Sequence, residues 1–158
     1  MNQKIRLLIM DVDGTLTNGK IYISQQGELF KAFNVKDGHA IKNILPAFNI
    51  IPVIITGRVS DIVSCRCKEL GIQYLHQGIN DKAACLRDLA AKINVPLKQI
   101  ACIGDDVNDL PMMKICGLKG CPSDAVPEVQ TACDYICKTS GGHGAVREFA
   151  EWLIALEE

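Results

Sequence analysis

The residues of this chain best suited to chemistry are Asp11 and Asp13, two carboxylates two positions apart in Leu7-Leu8-Ile9-Met10-Asp11-Val12-Asp13-Gly14-Thr15. The four apolar residues before Asp11 read as a strand buried on both faces of a parallel sheet, so Asp11 falls at its carboxyl end, where open α/β sheets bind ligands. Gly14 permits a sharp turn behind that strand, and Thr15 adds a hydroxyl and an amide. Aspartates at i and i+2 suit a division of labour. One carboxylate attacks phosphorus to give an aspartyl-phosphate while a cation screens its charge, and the other, beyond the bend, handles a proton. Taken alone, the pair reads more readily as an Asp-rich turn.

Three further segments bear on that choice. Residues 51–55 form a second apolar run that ends in Thr56-Gly57-Arg58, and residues 99–103 form a third that delivers Gly104-Asp105-Asp106-Val107-Asn108-Asp109. Asn80 or Asp81 opens a helix running to about residue 94, with apolar positions 83, 86, 89, 90 and 93 at helical spacing and Lys82 in its first turn. Clustered carboxylates favour a hard, oxygen-loving cation, and Mg²⁺ is held by one or two carboxylates together with substrate phosphate. The Thr56 hydroxyl, the Gly57 amide and the Lys82 ammonium are donors of the kind that hold phosphoryl oxygens.

The elements that must position these residues alternate strand and helix, which predicts a doubly wound, Rossmann-like parallel sheet. Residues 20–24 and 28–33 flank the turn Gln25-Gln26-Gly27 and predict a protruding β-hairpin. Asp37 is expected to cap a helix that runs to about Leu45 and stops at Pro46; Ser60 to Leu70 is a helix closed by Gly71. Short outer strands are expected at 73–75, 117–120 and 134–136, a short helix at 109–115, and a closing amphipathic helix at 145–156.

With 158 residues, residues 1–158 are expected to form a single domain around one core. The 48% apolar and 22% charged content fits a soluble globular chain, and the net charge of -1 gives no electrostatic case for nucleic acid or an anionic membrane. No apolar run approaches a membrane span and the N-terminus enters the first strand at once, so a cytoplasmic location is expected. None of the eight cysteines forms a C-x-x-C pair, which argues against a zinc framework and for small core residues in a reducing compartment.

Together DVDGT, TGR, a lone lysine and GDDVND resemble, in order and across essentially the whole chain, the four motifs of the haloacid dehalogenase superfamily of phosphohydrolases. The resemblance implies that Asp11 is the nucleophile and Asp13 the general acid/base. It also implies that Mg²⁺ is bound by the Asp11 carboxylate, the Asp13 carbonyl and Asp105, with Asp106 and Asp109 in support. Neither residues 16–50 nor the stretch from Arg58 to Lys82 has room for an inserted cap domain, so the chain looks like the capless branch. In the small capless sugar-acid phosphatases that it resembles, the assembly is a homotetramer, and a neighbour's hairpin is expected to cover each site. The implied substrate is a small phosphosugar acid. Arg58 favours an eight-carbon acid, since nine-carbon relatives tend to carry Glu after Thr-Gly and a guanidinium can pair bidentately with a carboxylate. His143 departs from the pattern, which has Arg in that tail.

Other readings of the same residues stand beside these. Asp109 also reads as a helix cap, Arg58 as a surface residue at a helix start, and Asp37 with Gly38 as an ordinary helix start, although Arg58, Asp37 and Lys20 are also candidates for substrate contact. Lys20 is either a solvated charge or a reach to a neighbour's substrate, and Gly141-Gly142 either a linker or a lid. His39, His76 and His143 lack ligand spacing and read as packing or loop residues. In function, a nine-carbon phosphatase and a non-catalytic tetramerisation module remain alternatives; the latter gives no reason to keep so many like charges together.

Overall fold

A computed structural model describes residues 4–157. In chain order the elements are β1 (Leu7–Met10), β2 (Tyr22–Ser24), β3 (Gly27–Phe30), α1 (Val35–His39), a π-helical turn (Ala40–Ile44), α2 (Leu45–Ala47), β4 (Ile51–Ile55), α3 (Asp61–Leu70) and β5 (Tyr74–His76). There follow α4 (Lys82–Lys92), β6 (Ile100–Ile103), a 3-10 turn (Val107–Asp109), α5 (Leu110–Met113), β7 (Leu118–Cys121), α6 (Pro127–Ala132), β8 (Tyr135–Ile136) and α7 (Ala145–Ala155). Six strands form one sheet in the order β5-β4-β1-β6-β7-β8, every pair parallel, while β2 and β3 pair antiparallel as a separate hairpin.

Alternation along the central strands explains why their sequences are apolar without interruption. On β1, Leu8 and Met10 enter one core with α3 and α7, whereas Leu7 and Ile9 enter the other with α4, α5 and α6. Residues 100–103 of β6 divide in the same way: Ala101 and Ile103 face the first core, Ile100 and Cys102 the second. Helices therefore cover both faces of the sheet, the doubly wound arrangement expected from the sequence. Between β1 and β4 lie only the hairpin and the α1–α2 segment, and between β4 and α4 only α3 and β5, so neither connection holds a cap domain.

Three local expectations are corrected. The helix after the hairpin is capped by Asn34, whose Oδ1 accepts the Lys36 N–H at 2.8 Å, and Asp37 lies inside it. Pro46 does not stop that helix; it sits in the first turn of α2. Its ring removes a donor and would crowd the carbonyl four residues back, and the chain widens to a π turn in which the Leu45 N–H reaches the Ala40 carbonyl. Helix α6 was not anticipated, because six residues opened by Pro127 are too few to display a helical repeat.

Helix α7 braces the sheet with Phe149, which is fully buried and stacks with Trp152 at 5.5 Å and Tyr135 at 6.3 Å between ring centroids. Phe149→Ala is expected to lower the unfolding free energy by about 3–5 kcal/mol, seen as an earlier urea midpoint at unchanged slope.

Candidate active site

Strand register decides which side chains can meet. Met10 lies opposite both Ile54 and Ile103, so Asp11, Thr56 and Asp105 leave the sheet at one edge. The Asp11 N–H is held by the Ile103 carbonyl at 3.2 Å, and the amides of Thr15, Leu16 and Thr17 all turn onto the Val12 carbonyl. Gly14 makes this bend possible. Its φ is +92°, and a Cβ there would sit 2.0 Å from Oδ2 of Asp105.

Lys82 is the first residue of α4, whose N-cap Asp81 accepts the Ala84 N–H at 2.9 Å. The lysine is buried, and Nζ donates to Oδ1 of Asp11 at 2.9 Å and to Oδ1 of Asp109 at 2.6 Å. The other oxygen of Asp109 accepts the amides of Asp105 and Asp106 at 3.0 and 3.3 Å. One fully buried carboxylate thus fixes both the lysine and the loop that carries Asp105. Thr15 donates its hydroxyl to Oδ1 of Asp105 at 3.1 Å.

Carboxylate oxygens of Asp11, Asp105 and Asp109 lie within 4.8 Å of one another. Burial and the carboxylates of Asp11 and Asp109 push Asp105 up to about 8. Asp11 is also raised, by burial and by Asp109, against the opposing pull of Lys82. Burial lowers the Lys82 ammonium, but Asp11 and Asp109 outweigh it and hold the group above the ordinary lysine value. Three carboxylates against one ammonium leave a surplus of negative charge, and an all-oxygen donor set of this kind fits Mg²⁺.

A cavity of about 180 Å³ opens beside this cluster, lined by Asp11, Asp13, Thr56, Gly57, Arg58, Asp105, Asp106 and Asn108. Most of the site residues expected from sequence are therefore brought together. Asp13 presents its carboxylate to the cavity but not to the three-carboxylate cluster: Oδ1 accepts from Lys31 Nζ at 2.6 Å, and Oδ2 lies 3.9 Å from Arg58 Nε. The exposed Asp106 accepts the Val107 N–H at 2.7 Å and caps the 3-10 turn.

Two candidates for substrate contact are placed elsewhere. Asp37 is buried and accepts the Arg147 N–H at 2.9 Å, so it caps the start of α7 from another element. Lys20 is exposed at the foot of the hairpin and does not line the cavity. The Gly141-Gly142 stretch packs as a wedge against the turn behind β1: the Gly142 N–H donates to the Thr15 carbonyl at 3.2 Å, and a Cβ on Gly141 would meet the Gly14 carbonyl at 1.9 Å. His143 closes that loop on itself through the Gly141 carbonyl, 2.9 Å from Nδ1.

Lys31, Glu28 and Asn108 were not singled out in the sequence. Asn108 sits inside the GDDVND motif and could have been marked from it. Glu28 lies in a hairpin strand and Lys31 just after it, and nothing local distinguishes them from solvated charges.

Among known proteins, residues 55–149 match a family described as haloacid dehalogenase-like hydrolases. The chain is similar to the 3-deoxy-D-manno-octulosonate 8-phosphate phosphatase of Escherichia coli, at 43% identity over 152 residues, 96% of this chain and 80% of that protein. It is similar in structure to the corresponding phosphatase of Moraxella catarrhalis in complex with magnesium, phosphate and KDO. There the TM-score is 0.91 at 40% identity, covering 96% of this chain and 86% of that one. The cobalt-bound form of the Haemophilus influenzae phosphatase gives a TM-score of 0.92 at 37% identity, with 96% and 88% covered.

The carboxylate cluster predicts a linked dependence on pH and cation. Because Asp105 rises from 3.8 to about 8 on folding, the metal-free folded chain binds a proton that the unfolded chain has lost. That contribution to stability is complete below pH 3.8 and is lost as pH rises through about 8. Saturating Mg²⁺ replaces the proton, so it is expected to raise the melting midpoint more at pH 8 than at pH 5, measured by calorimetry with and without chelator.

Proposed function

The chain belongs to the haloacid dehalogenase-like hydrolases, and from that premise we propose that it is a Mg²⁺-dependent phosphatase that hydrolyses 3-deoxy-D-manno-octulosonate 8-phosphate to the free sugar acid and phosphate, a step that supplies a sugar for lipopolysaccharide. The observation that carries this reading is the buried Lys82 bridge from Asp109 to Asp11, where Asp11 lines a cavity together with Asp13, Thr56 and Arg58. A non-catalytic module would gain nothing from burying these like charges together.

In this mechanism an Asp11 oxygen attacks phosphorus, and the bond from phosphorus to the sugar oxygen breaks. Asp13 gives its proton to the departing alkoxide, leaving an aspartyl-phosphate on Asp11. Asp13, now ionised, takes a proton from water as that water attacks the same phosphorus, which restores Asp11 and releases phosphate. Thr56, the Gly57 amide and Lys82 donate to the phosphoryl oxygens as charge spreads over them. The Asp11 and Asp105 carboxylates and the Asp13 carbonyl would hold Mg²⁺, which when bound would neutralise charge between the carboxylates and the phosphate. Asp109 and Asp106 hold the Asp105 loop. Arg58 is half-exposed at the rim, where its guanidinium can meet the sugar-acid carboxylate.

The open cavity calls for a cover that excludes water. Ile23 and Phe30 of the hairpin are 68% and 51% exposed and Val59, beside Arg58, 74%; a neighbouring subunit's hairpin in a homotetramer would bury such a patch. Among the described residues no helix is long and apolar enough to cross a membrane, and a cytoplasmic site of action is part of the same reading.

Asp11→Asn is expected to abolish phosphate release from the octulosonate ester, by at least about 10³-fold, with the melting transition retained; ordinary turnover by this variant would exclude covalent catalysis through Asp11. Chelation is expected to stop the reaction and Mg²⁺ to restore it. A monomer that keeps full activity at high dilution, followed by sedimentation, would refute the cover.

A further inference from the structure

The mechanism gives Asp13 a proton to handle but does not say what aims it. Lys31, the residue after β3, is almost wholly buried, with 2% of its side chain exposed. Its Nζ donates to Oδ1 of Asp13 at 2.6 Å and to Oε1 of Glu28 at 2.8 Å. The remaining Glu28 oxygen accepts from the Ser60 hydroxyl, and Ser60 is the N-cap of α3. The Ser60 amide is held in turn by Oε1 of Gln77 at 2.8 Å. An unbroken polar chain thus runs from the catalytic carboxylate through the hairpin strand to a fixed helix end. Lys31 itself does not line the cavity.

Burying an ammonium between two carboxylates roughly breaks even as a contribution to stability, since desolvation offsets the attraction. Directionality is what such a group does supply. An aspartate facing an open cavity would otherwise sample several rotamers, and an error of about 1 Å in a catalytic group can cost roughly 10²-fold in rate. With Oδ1 engaged by Lys31, Oδ2 is the oxygen left on the Arg58 side of the cavity.

We infer that Lys31, braced by Glu28 and Ser60, is a positioning residue for Asp13, reserving Oδ1 as an anchor and presenting Oδ2 as the oxygen that exchanges protons with the leaving group and with water. This rests on the acid/base reading of Asp13 given above.

The test is steady-state hydrolysis of the octulosonate 8-phosphate by full-length variants in Mg²⁺. Lys31→Met is expected to lower kcat at least about 100-fold while KM changes less than about threefold, because Lys31 acts on the acid/base and not on bound substrate. Lys31→Arg, which keeps the charge and the donors, is expected to recover at least about tenfold of that loss. In an Asp13→Asn background, Lys31→Met is expected to change the residual turnover by less than about twofold, since its effect runs through the carboxylate. If Lys31→Met fails to fold, Glu28→Gln/Lys31→Met removes both charges and is expected to show the same kcat loss. A kcat within threefold of the parent for the folded lysine variant, with Asp13→Asn inactive, would overturn the positioning role alone. So would an undiminished loss in the Asp13→Asn background. Full activity of Asp13→Asn would instead remove the acid/base reading itself.

Discussion

Burying several carboxylates side by side is costly, and the contacts that make this cluster tolerable organise the site. Lys82 gives its ammonium to Asp11 and Asp109, and Asp109 spends its other oxygen on the amides of Asp105 and Asp106. These contacts tie the ends of β1 and β6 to the beginning of α4, three segments far apart in sequence. The sheet supplies the rim on which they meet. Residual negative charge remains after these contacts, which is why burial and neighbouring carboxylates drive Asp105 so far from its ordinary value. A divalent cation is the natural complement of such a surplus, and a phosphate ester could not approach without one.

Much of this was legible in the sequence because its signals are local. An uninterrupted apolar run ending in Asp11-Val12-Asp13 carries both the buried strand and the chemistry at its end, and Ile51–Ile55 with Thr56-Gly57-Arg58 repeats that logic. The helix beginning at Lys82 announced itself by its cap and its spacing. What stayed hidden depends on distant partners. Asp37 reads as a helix start, yet its carboxylate caps a helix 110 residues further on. Lys31 and Glu28 look like solvated strand charges, and only folding places the lysine against Asp13. Pro46 reads as a helix stop for a different reason: a chain can relieve a proline by widening a turn as well as by ending a helix.

The hairpin serves two ends at once. Ile23, Leu29 and Phe30 are all exposed, with Phe30 stacked on Tyr22 at 4.3 Å between centroids. Lys31, held by Glu28, reaches back to the chain's own Asp13. An element that carries exposed apolar side chains and also reaches the Asp13 carboxylate joins the surface to the cavity without any inserted domain. The compact connections between β1 and β4 and between β4 and α4 leave room for little else.

The wedge of Gly141 and Gly142 against the turn behind β1 bears on how the protein is made. Residues near position 15 leave the ribosome early, yet the loop that clamps them emerges only after the rest of the sheet. A nascent chain halted before that loop would carry Asp11 and Lys82 but would lack the contacts of Gly141 and Gly142 with residues 14–18 of the turn behind β1.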